Sequence, residues 1–189
     1  MAFTIKLLLS LLIAFGLAFL WHQNEIRRTS RYDDLIQQSA SRWKVDPALV
    51  KAVVWRETNF NPDQLGAAEE RGLMQVTPIA AQEWAEKEEI KSFRVDQLFD
   101  PKTNIEAGTW YLAQALRRWQ DRDNPITFAL AEYNAGRVNA LRWSNTTNES
   151  SSEAFLEQIT FPTTKHYIKT TLEKYDFFRN QSTNLSLNF

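Results

Sequence analysis

Ala48-Leu-Val-Lys-Ala-Val-Val-Trp-Arg-Glu57 is the stretch on which the reading of this chain turns. Val50, Val53, Val54 and Glu57 fall at i, i+3, i+4 and i+7, so a helix places all four on one face. A carboxyl group then ends an apolar stripe, where its charged form is poorly solvated. Burial raises a carboxyl pKa, and the partial negative charge at a helix C-terminus adds to the effect. A carboxyl that keeps its proton near neutral pH can serve as a general acid. A lone Glu at a helix end is more often a plain surface residue; the rest of the chain decides between the two readings.

Outward from this stretch the pattern is helical. Asp46-Pro47, Thr77-Pro78, Asp100-Pro101 and Asn124-Pro125 each pair a capping residue with a proline suited to the first helical position. Leu35, Ile36, Ala40 and Trp43 predict a first helix, followed by helices over 47–57 and 78–87. Ile105, Gly108, Leu112, Ala115, Leu116 and Trp119 share one face of a long fourth. Residues 125–135 form a fifth, with Gly136 suited to its C-terminal cap, and 138–143 continue after the turn. Ser150 and Glu153 have capping-box spacing ahead of a short helix, beside a polar loop over 145–152. Thr164, Tyr167, Ile168, Thr171, Leu172 and Tyr175 line one face of the last helix, and the tail after Arg179 reads as loosely ordered. No alternating strand pattern of useful length is present, so the expected class is all-α.

Composition narrows the chemistry. The chain has 189 residues, 43% hydrophobic and 13% aromatic, enough for one domain plus an extension. A net charge of −1 gives no basic stripe for nucleic acid. The absence of cysteine excludes disulfides, thiolate metal sites and a cysteine nucleophile. With two histidines, His22 and His166, a multi-histidine metal site is unavailable and a Ser-His-Asp triad would have to use His166. No Gly-rich phosphate loop follows a strand. No cofactor and no metal are therefore expected, and catalysis falls to carboxylates, amides and hydroxyls.

Residues 7–21 are almost uninterrupted apolar, preceded by Lys6 and followed by Arg27, Arg28 and Arg31. One reading is a signal peptide cut after Gly16 and Ala18. The favoured one is an uncleaved membrane anchor over residues 5–21, since Phe19, Leu20 and Trp21 carry the apolar run past that cut and Trp21 suits a bilayer interface. Either sends the remainder of the chain out of the cytoplasm.

The loop over 58–71 is about as long as structureless loops become in a compact domain, and such loops tend to be functional. It closes on Gly72-Leu73-Met74-Gln75. A glycine within a helix costs roughly 1 kcal/mol against alanine, so Gly108 is expected to permit close packing. Gln75 and Asn134 are amides in apolar settings, each by itself readable as a satisfied core group or as a ligand to sugar hydroxyls and N-acetyl groups.

Four segments now stand in order: Glu57-Thr-Asn-Phe-Asn-Pro62; Gly72-Leu-Met-Gln-Val-Thr-Pro78; Asn104-Ile-Glu-Ala-Gly108 with Tyr111-Leu112; and Ala129-Leu-Ala-Glu-Tyr-Asn-Ala-Gly136. Together they resemble the successive motifs of the SLT-type lytic transglycosylases, which have a goose-type lysozyme-like helical fold. The resemblance runs from about Tyr32 to Tyr175. It implies that Glu57 is the single catalytic acid. It also implies that Met74 and Gln75, with Tyr133 and Asn134, belong to a glycan-binding groove, and that Tyr167 lies near the acid. This chain departs from the pattern at Thr58 (usually serine), Gly66 (commonly a substrate-binding serine), Glu69-Glu70 (usually Gly-Ala), Arg137 (usually proline) and Lys165 (usually arginine).

The chain is accordingly expected to divide into an anchor or signal segment with linker (1–30), a catalytic domain (31–179) and a tail (180–189). The implied function is cleavage of the β-1,4 bond between N-acetylmuramic acid and N-acetylglucosamine in peptidoglycan, on the periplasmic side of a bacterial inner membrane. Glu57 acts as acid and then as base, leaving a 1,6-anhydro end. Glu69, Glu70 and Glu132 are weaker candidates for the second carboxylate that a hydrolytic muramidase requires, with Glu69 and Glu70 expected to face solvent and Glu132 to lie beside the cleft. A catalytically weak glycan-binding scaffold is the third reading.

Overall fold

A computed structural model describes residues 2–145 and 151–186, with side chains over 11–145 and 151–181. The chain forms two compact units, Met1–Asp33 and Asp34–Phe189. The first is a single helix, α1 (Ala2–Ser30), closed by an Arg28–Glu25 ion pair one turn apart. Leu12, Phe15, Leu17, Leu20 and Trp21 along it are each more than half exposed. Among the described residues no helix is long and apolar enough to cross a membrane. The anchor expected over 5–21 falls partly on residues 5–10, whose side chains lie outside the described ones.

The second unit is all-α among its described residues, apart from two isolated bridges, Leu65 with Arg71 and Arg71 with Val76. Its helices are α2 (Asp33–Trp43), α3 (Pro47–Thr58), α4 (Pro78–Lys87), α5 (Pro101–Arg118), α6 (Pro125–Ala135), α7 (Arg137–Ser144), α8 (Ser152–Gln158) and α9 (Pro162–Ser186), with a 3-10 turn at Val95–Phe99. The capping residues explain most of the starts. Asp46 accepts from Ala48 N at 2.9 Å, Thr77 from Ala80 N at 3.2 Å and Asp100 from Thr103 N at 2.9 Å. Asn124 makes no such bond with its side chain, and Ser151, one residue from the expected position, caps α8 through Ala154 N. Ser150 and most of the polar loop lie outside the described residues.

The core is where α3, α5, α6 and α9 meet. Val50, Val53 and Val54 of α3 are wholly buried, as are Ile105 and Leu112 of α5 and Phe128 and Leu130 of α6. The α3 helix packs chiefly against α9, and α5 against α6. The aromatic rings of Phe128 and Phe155 stack at 4.1 Å, which ties α8 to this core. The tail expected to loosen after Arg179 instead continues α9 to Ser186. Tyr175 and Phe178 are buried on that helix, so its packing face runs to within one residue of Arg179.

Candidate active site

Glu57 sits in the last turn of α3, directly beyond the valine stripe, and lines an open cleft of about 320 Å³. Gly66, Ala67, Glu70, Gln75, Thr77, Tyr133 and Asn134 line the rest. Glu57 remains in partial touch with solvent through the cleft mouth, while protein packs closely around its carboxyl group. That burial pushes its pKa up from 4.5 to about 7. Two influences oppose the rise: the Tyr167 hydroxyl donates to Oε1 at 2.7 Å, and the Arg56 guanidinium lies nearby. The negative charge of Glu70 adds to it.

Tyr167 comes from α9 and is fully packed, with Arg56 over its ring at 5.0 Å. Burial, reinforced by the charge of Glu57, holds the Tyr167 phenol well above its ordinary pKa, so it stays a donor. It therefore acts on the acid from beneath. Tyr133 lines the cleft, but its hydroxyl points inward and donates to Met74 O at 2.8 Å. Its ring meets Tyr111 edge-on at 5.7 Å. Asn134 is exposed at the cleft edge, and its Oδ1 accepts from Thr164 Oγ1 at 2.8 Å, joining α6 to α9.

Met74, expected in the groove, is placed differently. Its side chain is wholly buried against α5. A Cβ added at Gly108 would stand 2.7 Å from its sulfur, which is the close packing expected of that glycine. Met74 serves the site through its backbone carbonyl, the acceptor for Tyr133.

Gln75 adopts a left-handed backbone (φ 48°), which turns its side chain to the cleft. Its amide nitrogen donates to Gln64 O at 3.1 Å and Gly72 O at 3.0 Å. The loop carrying it is fastened by Asn104, a wholly buried residue of α5. Asn104 accepts from Met74 N at 2.7 Å and donates to Arg71 O at 2.6 Å and Leu98 O at 2.7 Å. The segment Asn104-Ile-Glu-Ala-Gly108 taken as sequence assigns Asn104 no role. The available signal is its distance of four residues from Gly108, which puts both on the face of α5 that receives the loop. Thr58 retains the hydroxyl function expected after the acid and donates to Leu73 O at 3.0 Å.

The candidate second carboxylates separate cleanly. Glu132 is wholly buried, paired with Arg118 and accepting from Trp119 Nε1 at 2.8 Å, so it is a core ion pair outside the cleft. Glu69 is exposed, with a long 3.4 Å pair to Arg71. Glu70, expected to face solvent, instead lines the cleft with Glu57. Its carboxylate accepts from the Ala68 amide, Oε2 at 2.8 Å. Among the described residues no group of three or more His, Asp or Glu is placed to hold a metal ion.

Comparison with known proteins agrees with this architecture. Residues 34–156 match the model of the transglycosylase SLT domain. The chain is 31% identical over 162 residues to the soluble lytic murein transglycosylase of Escherichia coli K12, covering 85% of this chain and 25% of that protein. It is 35% identical over 119 residues to the membrane-bound lytic murein transglycosylase F of Desulfosudis oleivorans, covering 61% of this chain and 24% of that one. The crystal structure of the 70-kDa soluble lytic transglycosylase of E. coli superposes with a TM-score of 0.76 at 28% identity, over 86% of this chain and 26% of that one. The chain thus spans about a quarter of the length of these relatives. A matched SLT domain over most of the helical unit, on a lysozyme-like all-α fold, means that this chain belongs to the SLT transglycosylase family.

Proposed function

We propose that this chain is a peptidoglycan lytic transglycosylase that cleaves the β-1,4 bond between N-acetylmuramic acid and N-acetylglucosamine. The observation that carries the reading is a carboxyl group with its pKa near 7, held by a buried tyrosine at the wall of a cleft lined by amides and hydroxyls. Its relatives' names as lytic murein transglycosylases support the substrate class.

In the proposed route Glu57, protonated, donates to the glycosidic oxygen as the C1–O bond breaks. Desolvation supplies the proton at neutral pH, and the Tyr167 hydroxyl supports the carboxylate left behind. Glu57 then takes the proton of the sugar's own 6-hydroxyl as that oxygen closes onto C1, leaving a 1,6-anhydro end and consuming no water. Gln75, Tyr133 and Asn134 border the glycan, with amide groups available to sugar hydroxyls and N-acetyl groups. No step calls on a metal or cofactor. A pure glycan-binding scaffold fits less well, because binding gains nothing from a desolvated acid. Hydrolysis is a second reading, favoured by one observation: Glu70 lines the same cleft.

The working location we propose is the periplasmic side of the bacterial envelope, with the apolar residues of α1 associated with the inner membrane if that segment is retained. Their exposure over Leu11–Trp21 supports this.

Digestion of purified peptidoglycan by the wild type and by Glu57→Gln tests the function. Soluble fragments with 1,6-anhydro ends from the wild type, and none from Glu57→Gln, are the expected result. Undiminished release by Glu57→Gln would remove Glu57 from the mechanism.

A further inference from the structure

Arg56 stands directly before Glu57 in the last turn of α3. A basic side chain there complements the negative end of the helix, and that role alone would let it extend into water. Arg56 is instead half-buried. Its guanidinium lies over the ring of Tyr167, 5.0 Å from the centroid, and its Nε is buried with no hydrogen-bond partner among the described residues. A buried unpaired N–H costs stability, so packing alone does not account for this side chain. Neighbours on a helix point about 100° apart, so Arg56 and Glu57 diverge from a shared backbone. The Tyr167 side chain, reaching across from α9, spans that divergence. Its ring face takes Arg56, and its hydroxyl donates to Glu57 Oε1 at 2.7 Å. Neither Arg56 nor Tyr167 is among the residues that line the cleft, so both stand behind the acid.

We propose that Arg56 is a positioning residue for the acid: seated on Tyr167, it holds that hydroxyl against Glu57 and strengthens it as a donor, in support of the carboxylate that exists between the two proton transfers. The proposal rests on Glu57 being the acid and then the base. A cation is attracted to the electron-rich face of an aromatic ring. In turn it draws electron density from the ring, which makes the phenol O–H a better donor. Tyr167 keeps its own proton throughout, since burial and the charge of Glu57 hold its pKa well above the ordinary phenol value. The hydrogen bond strengthens as Glu57 becomes a carboxylate and relaxes as the proton returns. The charged and titratable groups that face Glu57 come from four elements: Arg56 on its own helix, Glu70 on the 58–71 loop, Tyr133 on α6 and Tyr167 on α9. Of these four Arg56 alone is a cation, and its charge favours the carboxylate.

The full chain is compared on purified peptidoglycan with Arg56→Gln, Arg56→Lys, Tyr167→Phe, the double variant Arg56→Gln/Tyr167→Phe, and Glu57→Gln. Initial release of anhydro-ended fragments is followed against pH at sub-saturating substrate, with a thermal melt of each preparation. Arg56→Gln should lower the plateau rate roughly tenfold, the scale of a partly desolvated cation–π contact. It should also move the alkaline limb up, because a cation that favours the carboxylate is gone. Arg56→Lys keeps the charge, and should keep the limb where the wild type has it and recover part of the rate. The double variant should be about as slow as Tyr167→Phe alone, since Arg56 acts through the hydroxyl that Phe lacks. Rate and limb both unchanged in Arg56→Gln would overturn the proposal. A slower rate with the limb unmoved and a lower melting temperature would mark Arg56 as structural and overturn it too. A double variant slowed by the product of the two single effects would also overturn it, because Arg56 would then act without Tyr167. Undiminished release by Glu57→Gln would instead overturn the function on which the proposal rests.

Discussion

At Glu57 burial and hydrogen bonding pull in opposite directions, and burial wins: the Tyr167 hydroxyl and Arg56 favour the carboxylate, yet the pKa stands at about 7. Activity that needs Glu57 protonated should therefore decline as pH rises through about 7, read as kcat/KM against pH. The same shift has a sign for stability. Below about 4.5 Glu57 is protonated whether folded or unfolded and costs nothing. Between about 4.5 and 7 only the unfolded chain releases its proton, so the native state loses stability as pH rises, and above about 7 the loss is complete. Glu57→Gln removes that loss. Denaturant melts should show the variant more stable than wild type by about 1–3 kcal/mol at pH 8 and equal to it at pH 4, the upper figure being reduced by the solvent that reaches the cleft. Tyr167→Phe deletes a bond that favours the carboxylate. The alkaline limb of its pH profile should move up, while its rate falls because the acid loses its positioning partner. A limb moved down would mean the hydroxyl favours the protonated acid.

Elements show why some of this was legible in sequence. The starts of α3, α4 and α5 follow from a capping residue before a proline, and Glu57 stands out because three valines share its face. These are local signals with periods of a few residues. What escaped is long-range. Glu70 reads as surface charge, and only the fold of the 58–71 loop, closed on itself by Gly66 N donating to Glu70 O and Gly72 N to Gln64 O, brings it to the cleft. Met74 reads as a groove residue from its place in a motif, but Gly108 opens a slot in α5 that takes its side chain. The fastening of the loop to α5 also has a measurable weight. Asn104→Ala strands one buried donor and two backbone acceptors, at about 3 kcal/mol. It should also loosen Gln75 and slow glycan release at temperatures where the fold persists. Thermal melts and digestion rates of the same preparation check both. Gly108→Ala gains helix propensity yet drives a methyl against Met74 Sδ, so a net loss of about 1 kcal/mol is expected.

Over the whole molecule, the helical unit carries its own core, its own capped helices and every residue that lines the cleft. The α1 unit instead presents Leu12, Phe15, Leu17 and Trp21 to the surroundings. An exposed apolar run of that kind is normally covered by something. Two behaviours should therefore separate on cutting the chain before residue 31. The fragment 31–189 should melt within about 4 °C of the full chain, a change of under about 1 kcal/mol, and should release the same anhydro products from purified peptidoglycan. Association with lipid should go with α1: the full chain should float with phosphatidylglycerol vesicles in a density gradient, and 31–189 should stay behind. A fragment that melts far lower would show that α1 supports the fold. Equal flotation of both would move the membrane contact onto the helical unit, where Ile79 and Val138, 84% and 80% exposed, are the apolar side chains to substitute next.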